Sequence, residues 1–294
     1  CDWTQDGTGN GGAMIKGTSG KPVWTSRLMV TMILLLPAFV QAFPVLYMLS
    51  VSFKDQGESY RFPPTLLPEN PVIANYQAAI KTAPLGQFML NSLIAATGIT
   101  VLQLLTSILA AYALARMEFA GRKLVLGLVI ALLMIPGEIT IVPNYLLMVR
   151  TGLLDTHAAL IAPFSASAFG IFMLYQFFRG VPRELEEAAI MDGASRLRFL
   201  FQILVPVSMP AIVAFGVFSF VSAWNQYLWP LVATQSTAMR TVQIGVGMFR
   251  AEQEATSWGM VMAATSILVL PSVVLFIATQ KQFVRGLTMS GVKG

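Results

Sequence analysis

Charged side chains are concentrated in one stretch of this sequence, residues 184–198. The stretch holds three glutamates, one aspartate and two arginines: Glu184, Glu186, Glu187, Asp192, Arg196 and Arg198. Such groups can exchange protons with a substrate, or they can contact a partner protein. The chain has one histidine, His157, and one cysteine, Cys1, so a multi-histidine metal site and an internal disulfide are excluded. We therefore expect the stretch either to dock a partner protein or to form a solvated helical hairpin.

A further carboxylate, Glu138, lies inside the apolar run LLMIPGEITIVPNY, residues 132–145. An ionisable side chain is costly in hydrocarbon, so such a residue indicates a solute pathway or a partner contact. The alternative is a hydrated position near the rim of the membrane, where Gly137 and two prolines open the helix.

Amide and aromatic side chains near the apolar runs could replace water around the hydroxyl groups of a solute. The candidates for such a pathway are Asn91, Asn144, Tyr145, Asn225 and Gln226. For the asparagines in the runs, the alternative is hydrogen bonding between helices. For the neighbouring aromatic residues Trp224, Tyr227 and Trp229, we expect an aromatic belt at the membrane interface.

The composition places these residues in an integral membrane protein. Hydrophobic residues make up 55% of the 294 positions, charged residues make up 11%, and the mean hydropathy is +0.68. A soluble domain has about 25% charged residues, so this chain would have too apolar a surface for water. The net charge of +5 indicates loop charges that set membrane topology, and we expect no nucleic-acid partner.

A bilayer core is crossed by about 20 apolar residues in a helix. The sequence predicts an all-α fold with six transmembrane helices, at 28–51, 89–114, 124–148, 159–178, 207–231 and 260–281. Membrane helices tolerate proline, so we expect kinks, not helix ends, at Pro37, Pro44, Pro136, Pro143 and Pro271.

Most of the 19 Lys and Arg residues fall on one side if the N-terminus is cytoplasmic, which predicts that both termini are cytoplasmic. We expect a flexible cytoplasmic segment at 1–27, a transmembrane domain at 28–281 and a cytoplasmic tail at 282–294. Met14 is a candidate start residue, in which case residues 1–13 would not be native. The longest cytoplasmic loop is 179–206, and prolines in the external loop 52–88 disfavour a long helix there.

The cytoplasmic loop 179–206 predicts two short helices with a break. Pro182 suits the first helical position, and the glutamates that follow suit the positive end of the helix dipole. Gly193 suits a left-handed C-terminal cap, and Ser195 can cap the second helix.

The same loop resembles the EAA loop of permease subunits of binding-protein-dependent ABC importers. That pattern is EAA, three residues, Gly, nine residues, then I-x-L-P. Here Glu187, Ala188, Ala189, Gly193, Ile203 and Pro206 match it, and Val205 stands where leucine is usual. The stretches SVSFKDQ, WNQYLWPL and KQFVRGLTMSGVKG are similar to the carbohydrate-uptake branch, which includes the second permeases of maltose and glycerol-phosphate importers. Gln226 stands where that branch often has an acid.

The resemblance implies a type I importer permease fold in the cell membrane, in contact with membrane lipid. It implies a partner set of a second homologous permease, two cytoplasmic ATPases and an extracytoplasmic solute-binding protein. The ATPase would contact the loop through Arg183, Glu187, Ala188, Ala189, Asp192 and Gly193. The chain lacks a G-x-x-x-x-G-K-[ST] loop, so no cofactor is expected on it, and ATP and Mg would be used by the partner ATPase. The implied substrate is a sugar or a related polyol.

Two other classes of membrane protein fit the sequence less well. A secondary transporter would use Glu138 as an ion-coupling carboxylate, but it predicts inverted repeats, which the sequence does not show. An intramembrane enzyme would need paired acids or a nucleophile with a base, and the single histidine and cysteine argue against it.

Overall fold

The structure is a computed structural model that describes the backbone of residues 23–251 and 257–289. Side chains are described for residues 31–248 and 257–274 and for Ile277. Residues 1–22 and 290–294 lie outside the described residues, and with them most of the predicted N-terminal segment and the end of the predicted tail. The remaining parts of both, 23–27 and 282–289, belong to helices.

The internal contacts divide the chain into a unit of residues 1–47 and a unit of residues 48–294. The described part of the first unit belongs to helix α1 (Val23–Ser52), which contains Pro37 and Pro44. Along α1, the rings of Phe43 and Tyr47 stack with their centroids 6.0 Å apart.

All regular secondary structure among the described residues of the second unit is helical. Its first half contains α2 (Gln56–Ser59), α3 (Ala74–Thr82), α4 (Leu85–Arg116), α5 (Arg122–Leu132), the 3-10 helix Gly137–Thr140, α6 (Ile141–Arg150), α7 (His157–Ile161), the 3-10 helix Ala162–Phe164 and α8 (Ala168–Gly180). Its second half contains α9 (Glu184–Met191), α10 (Arg196–Phe199), the π-helix Leu200–Leu204, α11 (Val205–Val207), α12 (Met209–Trp224), α13 (Leu228–Ala233), the 3-10 helix Thr237–Met239, α14 (Val242–Ala251) and α15 (Trp258–Met289).

Two helical segments among the described residues are long and apolar enough to cross a bilayer unbroken, Thr31–Ser52 and Leu85–Arg116. Three pairs of bent helices would raise that number to five if each pair is one span. The sixth predicted span falls in α15, where the apolar stretch Trp258–Val274 is shorter. The number of spans and the side of each terminus therefore stay predictions.

The bends fall where proline or a short break interrupts an apolar run. The turn between Leu132 and Gly137 is 98°, the one between Phe164 and Ala168 is 46°, and the one at Ser208 is 80°. The expected kink at Pro136 is wrong, because α5 ends at Leu132 and the chain turns before a new helix begins. Proline lacks an amide hydrogen and disfavours a helical residue before it, so the break is sharper than a kink. Pro37, Pro44 and Pro271 do lie inside helices.

Polar side chains of α4 satisfy the backbone that the break before α8 leaves free. The Gln103 side chain donates to the carbonyl of Phe164 at 2.9 Å, and the Thr106 hydroxyl donates to the carbonyl of Ser165 at 3.0 Å. Ser219 of α12 donates to the Gln103 Oε1 at 2.8 Å. A backbone break inside a membrane requires such partners, so α4 is the helix against which the others are placed.

Two buried polar side chains, Glu58 of α2 and Asn75 of α3, stabilise the segment that follows α1 through hydrogen bonds. Glu58 accepts a hydrogen bond from the Thr65 hydroxyl at 2.7 Å and from the Glu69 amide at 3.1 Å. Asn75 donates to the carbonyl of Lys54 at 2.7 Å. The loop predicted for this region therefore contains two short helices and internal hydrogen bonds.

Candidate functional site

Helix α9 begins the charged loop and presents its acidic residues at its N-terminal end. Glu184, Glu186 and Glu187 lie in its first turn, where the partial positive charge of the helix end favours carboxylates. Pro182 lies outside the helix, because α9 begins at Glu184 with Arg183 as the N-cap residue.

The end of α9 has the hydrogen bonds of a Schellman motif. Gly193 has φ +76°, its amide donates to the Ile190 carbonyl at 2.9 Å, and the Ala194 amide donates to the Ala189 carbonyl at 2.9 Å. A residue with a side chain is disfavoured at such a φ, so the predicted glycine cap is confirmed. The cap turns the chain away from the axis of α9.

The second helix of the loop starts at the predicted cap. The Ser195 hydroxyl accepts a hydrogen bond from the Arg198 amide at 3.3 Å, and the Arg198 Nε donates to Gln202 Oε1 at 2.9 Å. The chain then continues through the π-helix towards α12. The two-helix architecture predicted for the loop is therefore confirmed.

The inner side of α9 packs on the rest of the chain. Ala189 is 5% exposed and belongs to the apolar cluster that includes Tyr112, Phe178 and Phe199. Ala189 was expected to contact a partner, but its side chain is enclosed by this chain. Its small size lets α9 approach that cluster closely.

The outer side of α9 combines acidic and apolar groups. Glu187, Ala188 and Asp192 are exposed. Ile190 is 59% exposed and Met191 is 88% exposed. Isolated exposed apolar residues are ordinary, but this group lies beside acidic residues on one short capped helix, which suits a protein-docking surface.

Arg116, at the end of α4, joins the charged loop to the preceding helices. Its guanidinium donates to the carbonyls of Phe178 and Val181 at 2.7 and 2.5 Å. Its Nη1 lies 3.4 Å from the Glu186 Oε2. The sequence analysis missed Arg116, because nothing local connects residues 116 and 186; only an arginine at the end of a long apolar helix could have suggested it.

The pathway candidate Glu138 lies in the 3-10 helix at the 98° turn and is exposed. Its carbonyl accepts a hydrogen bond from the Ile141 amide, and its carboxylate makes no hydrogen bond or ion pair within the described residues. Asn144 and Tyr145 follow it on α6 and are half-buried. Tyr145 lines a cavity of about 360 Å³ together with Ile141, Val142 and Val232.

Asn91 is enclosed by the protein and is 0% exposed. Its Nδ2 donates to the carbonyls of Ala238 and Arg240 at 2.7 and 3.0 Å, and its Oδ1 lies 3.2 Å from the His157 Nε2. A solute cannot reach Asn91 in this conformation, so the interhelical hydrogen bonds described as the alternative are what the structure contains. His157, which lies between the spans predicted at 124–148 and 159–178, is the first residue of α7.

Asn225 and Gln226 follow the end of α12. Asn225 is exposed, and its Oδ1 accepts a hydrogen bond from the Gln243 side chain at 3.3 Å. Gln226 is half-buried. These two amides are available at the surface, unlike Asn91.

The expected aromatic belt is wrong for two of its three residues. Trp224 and Trp229 are each 3% exposed. Trp224 packs on Phe220 with stacked rings 5.8 Å apart, and the Trp229 indole donates to the Ala159 carbonyl at 3.0 Å. Each indole fills a core cluster, and neither lies at an interface with lipid headgroups. Tyr227 is 44% exposed.

Asp155 joins two loops at the ends of α6 and α13. Its Oδ1 accepts hydrogen bonds from the amides of Gln235 and Ser236 at 2.8 and 3.0 Å, and its own amide donates to the Ala233 carbonyl. Burial acts to raise the pKa of this carboxyl, but the hydrogen bonds from Ser236 and Gln235 outweigh it, and the pKa is lowered. The sequence analysis did not identify this junction.

The described residues contain no group of three His, Cys, Asp or Glu side chains that could hold a metal ion. On α9, exposed acidic and apolar side chains lie side by side, and the ion pair between Arg116 and Glu186 ties this helix to the end of α4.

Residues 103–288 match the family described as "Binding-protein-dependent transport system inner membrane component". The chain belongs to this family. It is 36% identical over 278 residues to the sulfoquinovosyl glycerol transport system permease protein SmoH of Agrobacterium fabrum, a match that covers 94% of this chain and 95% of that protein. It is 34% identical over 284 residues to the sn-glycerol-3-phosphate transport system permease protein UgpE of Pectobacterium atrosepticum, covering 94% and 99%.

The fold matches that of a solved transporter. A crystal structure of a bacterial ABC transporter involved in the import of the acidic polysaccharide alginate contains a chain with a TM-score of 0.80 and 22% identity. The match covers 90% of this chain and 99% of that one.

The resemblance drawn from the EAA pattern is therefore confirmed. The chain is a membrane-embedded permease subunit of an ABC importer, and as a member of this family it is a transport subunit and not an enzyme. The family also decides against the secondary transporter and the intramembrane enzyme. Family membership implies that it works with a partner permease, an ATPase and a binding protein.

Proposed function

We propose that this chain forms half of the pathway by which a sugar or a related polyol enters the cell. It spans the cell membrane beside a second homologous permease, and each permease contacts one of two cytoplasmic ATPases. An extracytoplasmic binding protein delivers the solute. Two relatives are named for the transport of sulfoquinovosyl glycerol and of sn-glycerol-3-phosphate, which supports a hydroxylated substrate.

The observation that carries this proposal is the exposed outer side of α9. Glu187, Ala188 and Asp192 are exposed, and Met191 is 88% exposed. The left-handed cap at Gly193 determines where the helix ends. Because the capped helix is already ordered, its docking in a cleft of the ATPase would cost little conformational entropy. We assign Glu187 and Ala188 to direct ATPase contact, with Arg183 and Asp192 at the margins, while Ala189 and Gly193 set the position of the helix.

ATP and Mg belong to the partner ATPase in this proposal. Closure of the ATPase dimer would displace α9, and the displacement would reach the membrane helices through the contacts of the charged loop. The chain supplies movement and a pathway, and the chemistry of hydrolysis takes place in another subunit.

For the pathway we propose Glu138, Asn144, Tyr145, Asn225 and Gln226, and we leave out Asn91 because it is enclosed. Each of the five is exposed or half-buried. Carboxylate and amide groups can hydrogen-bond to solute hydroxyls, and the Tyr145 ring offers an apolar face beside a cavity. Gln226 offers an amide at a position where the carbohydrate-uptake branch often has an acid.

The test is reconstitution of the four-subunit complex in proteoliposomes with its binding protein, whose bound ligand is first identified by mass spectrometry. We expect solute accumulation that requires ATP inside and binding protein outside. Accumulation driven by an ion gradient without ATP would contradict the proposal. Glu138→Gln tests the pathway assignment in the same system, with Glu69→Gln as a control at an exposed carboxylate whose ion pair with Arg61 is more than half exposed. Unchanged uptake kinetics for Glu138→Gln would remove that residue from the pathway.

A further inference from the structure

Arg116 occupies a buried position where three helices meet. Its side chain is 3% exposed. It is the last residue of α4; its Nη2 binds two carbonyls, those of Phe178 and Val181, at the end of α8, and its Nη1 faces Glu186 of α9. The Arg116 side chain thus links the end of α4 to the end of α8 and to the first turn of α9.

Arg116 caps the C-terminal end of α8, although it lies 62 residues before Phe178 in the sequence. The last carbonyls of a helix lack intrahelical partners, and a cation there is favoured by the helix dipole. Because the guanidinium is planar and carries donors on both arms, it can bind these carbonyls and a carboxylate together, which a lysine ammonium does less well. Arg116 is therefore anchored to α8 whether or not Glu186 is present.

The contact with α9 depends more heavily on the ion pair. Helix α9 packs sparsely on other helices, and Ala189 is its only fully buried residue among those described. A cavity of about 270 Å³ lies beside the pair, lined by residues that include Tyr112, Ile190, Ala194 and Arg196. Since this space is not filled by side chains, packing alone does not fix α9 against α4.

The pair is also poorly screened. Glu186 is 20% exposed and Arg116 is 3% exposed, and the Nε of Arg116 is buried with no hydrogen-bond partner in the described structure. Removing one partner of a buried ion pair leaves an uncompensated charge, so the two residues hold each other in place more firmly than a surface pair would.

We propose that Arg116 is a positioning residue for energy coupling, which transmits the movement of α9 to α4 and α8 through its ion pair with Glu186. This inference rests on the proposed contact between α9 and the ATPase. When the ATPase moves α9, the carboxylate of Glu186 carries the guanidinium with it, and the ends of α4 and α8 follow because both are bound to the same group. Helix α4 in turn packs on α8 and α12.

The test uses the full complex in proteoliposomes and measures the solute transported per ATP hydrolysed. Glu186→Gln removes the charge but keeps the shape of the side chain and the bonds of Arg116 to α8. We expect this ratio to fall by a factor on the order of three to ten, the range over which residues along a coupling path commonly act. Complex assembly should be unchanged. The matched control is Glu184→Gln, an exposed glutamate in the same turn that makes no ion pair within the described residues; we expect it to retain the wild-type ratio.

A double-variant cycle separates positioning from a general loss of stability. If Arg116 acts through Glu186, adding Glu186→Gln to Arg116→Gln should not lower the ratio further. Effects that multiply would show that the two residues act independently and would overturn the inference. If Arg116→Gln does not assemble, the comparison of Glu186→Gln with Glu184→Gln decides alone.

The outcomes distinguish this inference from the proposed function. A wild-type complex without ATP-dependent transport would contradict the proposed function and the inference with it. A wild-type complex that transports, with a Glu186→Gln variant at the same transport-to-hydrolysis ratio, would overturn the role of Arg116 and leave the proposed function intact.

Discussion

Asn91 shows how burial decides the role of a polar residue in this protein. It is an amide in an apolar helix, as a pathway residue would be, but all three of its hydrogen-bonding contacts are with this chain. Its partners lie in α7 and in the segment before α14, far from it in sequence. We therefore interpret Asn91 as a structural link between α4 and those segments.

We expect Asn91→Leu to destabilise the protein by about 1–3 kcal/mol, because it leaves the carbonyls of Ala238 and Arg240 without their donor. The measurement is thermal unfolding of the purified complex in detergent. The control is Asn225→Leu, at an exposed asparagine with one long hydrogen bond, which should unfold at nearly the wild-type temperature. A fully stable Asn91→Leu variant with altered solute affinity would return Asn91 to the pathway.

Some residue roles could be predicted from the sequence because their causes are local. Gly193 and Ser195 are examples: a helix end and a helix start are defined by neighbours within four positions. Arg116 and Asp155 could not be predicted in this way, since their partners lie 70 and about 80 residues away. Trp224 and Trp229 were predicted at an interface, and they are buried because each indole fills space between helices that only the packed fold brings together.

At the scale of helices, the Gly193 cap determines where α9 ends and how it is presented. A Cβ at Gly193 would meet nothing within 4 Å, so the only obstacle to another residue is the backbone conformation. We expect Gly193→Ala to cost about 1–2 kcal/mol locally, the usual penalty for an L-residue in the left-handed region.

That cost should appear as faster amide hydrogen exchange at the end of α9 and as a lower ratio of transport to ATP hydrolysis. The control is Gly180→Ala, at a helical glycine with equally open surroundings and no positive φ. Gly193→Asn should recover part of the loss, since asparagine tolerates this region better than alanine. Equal effects of the two alanine substitutions would contradict the account of the cap.

A second element, the junction of the loops at Asp155, predicts a pH dependence. The pKa of Asp155 is lowered below its ordinary value of 3.8, so the ionised form is favoured by folding. Its contribution to stability is therefore complete above the unfolded pKa and is lost as the pH falls through the lower folded pKa.

Asp155→Asn removes the charge but keeps an oxygen acceptor and tolerates the φ of +61° at this position. We expect the variant to unfold at a lower temperature than wild type at pH 7. The difference should narrow as the pH is lowered below about 4, the ordinary Asp pKa, and thermal scans between pH 3 and pH 7 would measure it. A difference that is independent of pH would contradict the charge-dependent role of Asp155.

The helices could be predicted from the sequence wherever a long apolar run indicates a membrane span. The six predicted spans lie largely on helices, because a long apolar run in lipid has few alternatives to a helix. The spans predicted at 124–148, 159–178 and 207–231 are each interrupted by non-helical residues. The turn of 98° before Gly137 and the turn of 80° at Ser208 were not predicted. At the third break, the 46° turn before α8, Gln103 and Thr106 of α4 bind the carbonyls of Phe164 and Ser165, and such partners are brought together only by the packed fold.

In the molecule as a whole, we place the input of energy at one end of the second unit. The exposed side of α9 receives the partner, Arg116 ties α9 to the helix ends, and α4 packs on α8 and α12. The family and its relatives establish a permease, and we propose that the exposed side of α9, with Glu187, Ala188 and Asp192, is where the energy of ATP enters it.

The decisive experiment is Glu187→Lys in the reconstituted complex, because it reverses the charge at the exposed docking side of α9 and leaves the buried contacts of Ala189 and Glu186 in place. The control is Glu118→Lys, an equal charge change at an exposed glutamate that lines the same cavity as Glu186. We expect Glu187→Lys to insert in the membrane normally but to lose binding-protein-stimulated ATP hydrolysis and transport, while Glu118→Lys keeps both. Full ATP-dependent transport by Glu187→Lys would show that the exposed side of α9 does not couple the ATPase to transport.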